Sequence, residues 1–316
     1  MAIIGGDIPF TTIAMISAQN AGALVASLSI LMVNSVGGQT VEPRKLMGTI
    51  NEESSWSPDG KMIAFDSIRS GKLNIYTWRI DTRELKRITT TDANDFTPEW
   101  SPDGKQVAFV SDRTGHNEIF VVDLACGMPR RVTKDNSDAI HPHWSPDAQR
   151  IIYCSARDNP NQANAPEGEI YEIYTIKPDG SDLRQITHDK GINTYPSFSP
   201  DGRQILFRKV LGEKNSEVFV MNADGSSMQN LTNNPAFDAW PRWSPDGKRI
   251  VFGSNRENKT DYEIYVMNAD GNSVQRLTNL SGRNTSPKWS PDEKKISFDH
   301  AAQGECDIFT IDTPQK

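Results

Sequence analysis

The sequence predicts an all-β fold, a six-bladed β-propeller of four-stranded antiparallel blades. Three observations predict it. A W-S-P-D-G pentapeptide or a close variant recurs six times in 316 residues, anchored at Trp56, Trp100, Trp144, Phe198, Trp243 and Trp289. The spacings of 44, 44, 54, 45 and 46 residues are those of propeller blades. Each unit also carries four short apolar or β-branched runs separated by turn residues, the content of one blade.

In chain order, residues 1–39 come first. Ile8 to Val33 is apolar and small, and Asp7 is the sole charge before Glu42. The stretch reads as a signal peptide, with Val33-Asn34-Ser35 as a cut site, or as a membrane anchor. The basic n-region of a secretory signal is missing, and Gln19-Asn20 interrupts an uncleaved span. Residues 40–316 read as the propeller. Pro43-Arg44-Lys45-Leu46-Met47 resembles the outer-strand segments Pro129-Arg130-Arg131-Val132-Thr133 and Leu183-Arg184-Gln185-Ile186-Thr187. The sixth unit has no outer strand of its own after Ile311. Residues 40–48 are therefore expected to complete the last blade and close the ring, leaving no long unpaired edge.

Blade five shows the elements most clearly. Pro241-Arg242-Trp243 starts the inner strand and Ser244-Pro245-Asp246-Gly247 turns the chain, Pro presetting φ and Gly taking a positive one. Arg249–Gly253 and Glu263–Met267 are the second and third strands, Ala269-Asp270-Gly271 is a hairpin turn, and Val274–Thr278 is the outer strand. Blade three is ten residues longer than the blade before it, and the excess falls between Arg157 and Glu169, where Asp158 to Gly168 is a polar loop that reads as a lid or a tolerated insertion.

Composition narrows the function classes. With 34 Lys and Arg against 41 Asp and Glu, the net charge of −7 gives no footprint for nucleic acid. Three widely spaced cysteines form neither a disulfide framework nor a zinc motif.

The repeat P-x-W-S-P-D-G-K-x-I-x-F, followed by S-x-R, E-I-Y-V-M-N-A-D-G and R-L-T, is similar to that of the TolB-like propellers and covers about residues 43–312. The resemblance implies a periplasmic or secreted protein, with a cytoplasmic one as the alternative. It also implies a partner at the channel mouth, as for the family's namesake, which binds a peptidoglycan-associated lipoprotein. The α/β domain that the namesake carries before its propeller has no counterpart in the forty residues here. No G-x-S-x-G nucleophile elbow is present for a peptidase-gating role.

Candidate site residues follow from the repeat frame. The loops entering the inner strands converge on the channel mouth, where function in such scaffolds resides. Counting back three from each anchor gives Glu53, Thr97, His141, Tyr195, Trp240 and Ser286, six different residues at one structural position. Counting back five gives Asn51, Asp95, Ala139, Asn193, Asp238 and Asn284, turn formers or ligand groups. Tyr195 and Trp240 form an aromatic wall or a plug. His141, with Glu53 or Asp238 across the mouth, is the candidate acid/base. His143, two residues on, suggests a paired-His metal site that lacks a third ligand. Glu53, Asp95 and Asp238 are the candidate Ca²⁺ ligands, without a contiguous calcium loop; no other cofactor is expected. The S-x-R arginines, Arg69, Arg113, Arg157 and Arg256, are expected to brace loops between blades.

Two functions from different classes remain open. One is a non-catalytic scaffold, monomeric, binding a protein, a small molecule or an oligosaccharide at the mouth. The other is a hydrolase, lyase or cyclase acting on a small molecule or oligosaccharide, with His141 as acid/base. A membrane role follows only if the leader is retained.

Overall fold

The computed structural model describes residues 44–45, 50–135, 137–158, 170–213, 215–257 and 260–314. The leader readings and the lid reading for the insertion after Asp158 lie outside them. Six four-stranded antiparallel sheets follow one another, each in simple up-and-down order. The inner strands are Asn51–Trp56, Asp95–Trp100, Ala139–Trp144, Ile192–Phe198, Asp238–Trp243 and Arg283–Trp289. Each packs beside the next, and the first beside the last, so they surround a central channel. Among the described residues no helix is long and apolar enough to cross a membrane.

The turn at each anchor is built from its own residues. The Ser hydroxyl donates to the Asp carboxylate two residues on, at 2.6–2.7 Å in all six blades. The same hydroxyl accepts the amide five residues on, at 2.9–3.0 Å. The fifth turn residue has positive φ throughout, even where Ala148 (57°) and Glu293 (58°) replace Gly. The Thr of R-L-T has a role that the repeat alone does not reveal. Its hydroxyl replaces a ladder carbonyl, accepting Ile75 N, Ile119 N, Ile173 N, Val218 N and Ile264 N. The outer strands consequently end early, and that of blade five spans only Gln275–Arg276.

Neither face of a blade can stay wet, and the aromatic anchors join blade to blade. Trp100 packs with Ala64 and Ile75 of blade one, Trp144 with Ala108 and Ile119 of blade two, and Phe198 with Ile152 and Ile173 of blade three. Trp243 lies against Leu206 and Val218, and Trp289 against Val251 and Ile264. Trp56 packs in one cluster with Ile308 of blade six, which closes the circle. The N-terminal strand is where the sequence places it: Arg44 pairs with Thr310 and Lys45 with Phe309, antiparallel, as the fourth strand of blade six.

Three of the S-x-R arginines reach back to the inner strand of their own blade, in place of the brace between blades expected from the sequence. Arg69 reaches Asn51 (2.6 Å), Arg113 reaches Asp95 (2.8 Å) and Arg256 reaches Asp238 (3.0 Å), each 18 residues back. Blade three has Ala139 at that position, and Arg157 pairs with Asp135 instead, at 3.3 Å.

Candidate functional site at the channel mouth

All six residues three before the anchors adopt left-handed backbone: Glu53 50°, Thr97 52°, His141 56°, Tyr195 53°, Trp240 53° and Ser286 52°. The strand register slips at each of them, so every inner strand carries a β-bulge at the mouth. This conformation costs a side-chain-bearing residue roughly 1–2 kcal/mol, which Gly would avoid. None of the six is Gly. Thr97, His141, Tyr195 and Ser286 are buried, while Glu53 and Trp240 keep part of their surface in solvent.

Second-strand residues tie this ring across blade boundaries. Glu53 N donates to Asp299 (3.0 Å) and Thr97 N to Asp66 (2.9 Å). Ser286 Oγ donates to Glu53 (2.9 Å), and Arg242 donates to the Tyr195 carbonyl (3.4 Å). Rings line the arc over blades three to five. His141 stacks on Tyr195 at 3.7 Å, Tyr195 meets the edge of Trp240 at 6.0 Å, and Trp240 meets Tyr262 at 5.2 Å. Trp240 owes its place to Gly253: a Cβ there would lie 2.9 Å from its ring.

The bulge also separates His141 from His143, because i and i+2 no longer share a side. His141 Nδ1 contacts Cys154 Sγ at 3.3 Å, while His143 Nε2 lies 3.6 Å from Glu99 of blade two. Among the described residues no group of three His, Cys, Asp or Glu is placed to hold a metal. Glu53, Asp95 and Asp238 are not gathered: the latter two are fully buried in the ion pairs with Arg113 and Arg256. Neither of the acid/base partners considered for His141 is idle, since Asp238 serves Arg256 and Glu53 accepts from Ser286. His300 hydrogen-bonds Asn284 (2.8 Å) and lines a cavity of about 290 Å³ on blade six, with Lys45, Glu305 and Phe309.

Sequence reasoning missed a second ring, one residue before each anchor: Ser55, Glu99, His143, Ser197, Arg242 and Lys288. The register slip turns these side chains between blades toward the channel. Their signal was available, since four of the six are ionisable beside an apolar anchor. Burial holds the Asp299 and Asp66 carboxyls well above the usual range, reinforced by Glu53 and Glu52 respectively. Burial, then the Arg242 and Lys288 charges, hold His141 and His143 well below the usual imidazole range.

A pH dependence follows. Folded His141 stays neutral, whereas the unfolded chain binds its proton below about pH 6.5. Its contribution is thus present above that pH and lost as pH falls toward the folded value. His141→Phe keeps a ring on Tyr195 and removes the proton. The drop in Tm between pH 7.5 and 5.5 is expected to shrink in this variant. Parallel Tm–pH curves for the two proteins would refute this.

Two stretches, residues 26–166 and 209–316, match the TolB beta propeller domain. A TolB homologue of Chlorobium luteolum is 47% identical over 36 residues, 11% of this chain and 8% of that protein's length. A TolB-type structure from Agrobacterium tumefaciens is 26% identical with a TM-score of 0.65, over 84% of this chain and 91% of that one. An oligogalacturonate lyase of Vibrio parahaemolyticus shares the fold at 15% identity, TM-score 0.63, over 88% of this chain and 95% of its own.

Proposed function

The chain belongs to the TolB beta propeller domain family, and from that premise we propose that it is a non-catalytic scaffold whose channel mouth engages a partner protein or a small ligand. Propellers of this shape include enzymes, so the fold alone does not choose. The observation that carries the reading is the ring of six different side chains at one left-handed position, none of them Gly. Backbone strain persists where the surroundings over-determine it, and it clusters at ligand clamps. Here it presents Trp240 and Glu53 at the mouth. Binding suits these residues better than turnover does, because His141 is buried, neutral and stacked on Tyr195. The same reading has the protein working in the periplasm.

The test compares retention of proteins from the native cell envelope on immobilised protein. The variants are Trp240→Ala, Gly253→Val, which displaces Trp240, and Met128→Ala, an exposed control at an outer hairpin on the opposite face. An aromatic anchor is worth about 2 kcal/mol, or about 30-fold in Kd. A partner held by wild type and Met128→Ala and lost from the other two is the expected result. Equal retention by all four, or equal loss in the control, would overturn the reading.

A further inference from the structure

Below the aromatic arc lie two cations that the fold buries without full compensation. Arg242 is 7% exposed and Lys288 9%. The Arg242 guanidinium turns back across the blade boundary to the Tyr195 carbonyl, and also donates to its own neighbour Pro241 (3.1 Å), yet Nε has no partner. Among the described residues Lys288 Nζ makes no hydrogen bond or ion pair. It feels the charges of Arg242, Glu99, Glu53 and Asp299, which come from blades five, two, one and six, so it points into the channel. Ser197 Oγ and His143 Nδ1, in the same ring, are also buried and without a partner.

The acids around them are occupied. Asp66 and Asp299 each accept an amide of the next blade, Glu53 accepts Ser286, and Glu99 faces His143. Asp299 retains one unpartnered oxygen, and burial beside Glu53 favours its neutral form. What is unsatisfied at this depth is therefore positive charge. A buried cation with no carboxylate within bonding distance is costly even when acids lie nearby, and a bound anion offsets that cost.

The geometry points to a carboxylate site inside the channel, formed by Arg242 and Lys288 with Ser197 and His143 beside them, for a ligand whose body packs under the Tyr195–Trp240 arc. A planar guanidinium can hold a planar carboxylate through two parallel N–H donors, with the Lys288 ammonium as a second charge, and phosphate is the competing anion that the test must exclude. The inference rests on the reading of the mouth as a binding site and names its chemistry. Two sources offer this group, a sugar acid and the free C-terminus of a peptide.

Calorimetric titration and thermal shift separate them. The probes are galacturonate and N-acetylphenylalanine, with their neutral partners galactose and N-acetylphenylalaninamide, and inorganic phosphate. Wild type is expected to bind at least one carboxylate probe and not its neutral partner. Lys288→Met is expected to weaken that binding at least tenfold and to keep or raise the Tm of the unliganded protein. Arg242→Lys, which keeps the charge but not the fork, is expected to weaken it less than Lys288→Met. Equal binding of acid and neutral partner, phosphate binding as tightly as either acid, or unchanged affinity in Lys288→Met would overturn the carboxylate site. The two claims fail separately. Envelope-partner retention that survives Lys288→Met but not Trp240→Ala leaves the mouth reading standing without the carboxylate. Carboxylate binding that needs Lys288, with partner retention indifferent to Trp240, does the reverse.

Discussion

Arg256→Ala is expected to destabilise the protein by about 3–5 kcal/mol, the usual cost of stripping one partner from a buried ion pair. Arg256 Nη2 lies 3.0 and 3.1 Å from the two oxygens of Asp238, whose side chain is fully buried. Burial already lifts the Asp238 carboxyl above its ordinary range, and the Arg256 charge acts against that lift. Without the arginine the carboxyl rises further. A carboxyl raised in the folded state contributes stability at low pH that is lost as pH rises through the folded value. Urea unfolding should therefore show the variant weaker than wild type at every pH, with the deficit larger at pH 8 than at pH 5. Asp238→Asn added to Arg256→Ala should recover most of the loss. Asn is acceptable there, because Asn51 holds the equivalent place opposite Arg69. A deficit under 1 kcal/mol, or one that Asn fails to repair, would show that the pair is not what holds the blade.

The same pair shows how far the sequence was legible. The recurrence of S-x-R announced a structural role, and the constant 18-residue reach to the fifth position before the anchor is readable from the repeat frame. The partner's identity needed coordinates, because a strand and its hairpin neighbour set that distance. Blade three makes the point: where Ala139 removes the partner, Arg157 takes Asp135. Blade number and ring closure were readable because the anchor is a local turn with its own Ser–Asp chemistry, repeated six times. The residues three before each anchor were readable as a position, but not as left-handed.

That backbone detail decides what was missed at the site. Strand alternation puts i and i+2 on one side, and on that rule His141 and His143 form a pair. The bulge at His141 breaks the rule and sends the two rings to Cys154 and Glu99, and the matching bulges at Trp240 and Ser286 shift Arg242 and Lys288 out of strict alternation in the same way. Register slips come from tertiary packing between blades, which no single strand encodes. The burial that leaves Lys288 without a partner is likewise a property of the closed ring.

Ring closure itself gives the second large effect. A chain beginning at Ile50 would lose the Arg44–Lys45 strand, leaving blade six with three strands and Glu305–Asp312 as an open edge. Two ladder residues at about 1 kcal/mol per hydrogen bond give a direct loss of about 2 kcal/mol. The ion pair of Lys45 with exposed Glu305 adds little, while loss of Lys45 from the buried Asp307 carboxylate adds to the deficit. The indirect effect is larger: an unpaired edge in a ring this size is a template for another chain. The shortened protein is expected to melt lower, by roughly 2–4 °C per kcal/mol, and to self-associate with rising concentration in sedimentation runs. A synthetic peptide of residues 40–48, added in excess, should restore both Tm and the monomer, and the same peptide with Lys45→Pro should restore neither, since proline removes a ladder donor. A shortened chain that stays monomeric and melts with the full-length protein would mean that the Trp56–Ile308 contact closes the ring without the strand.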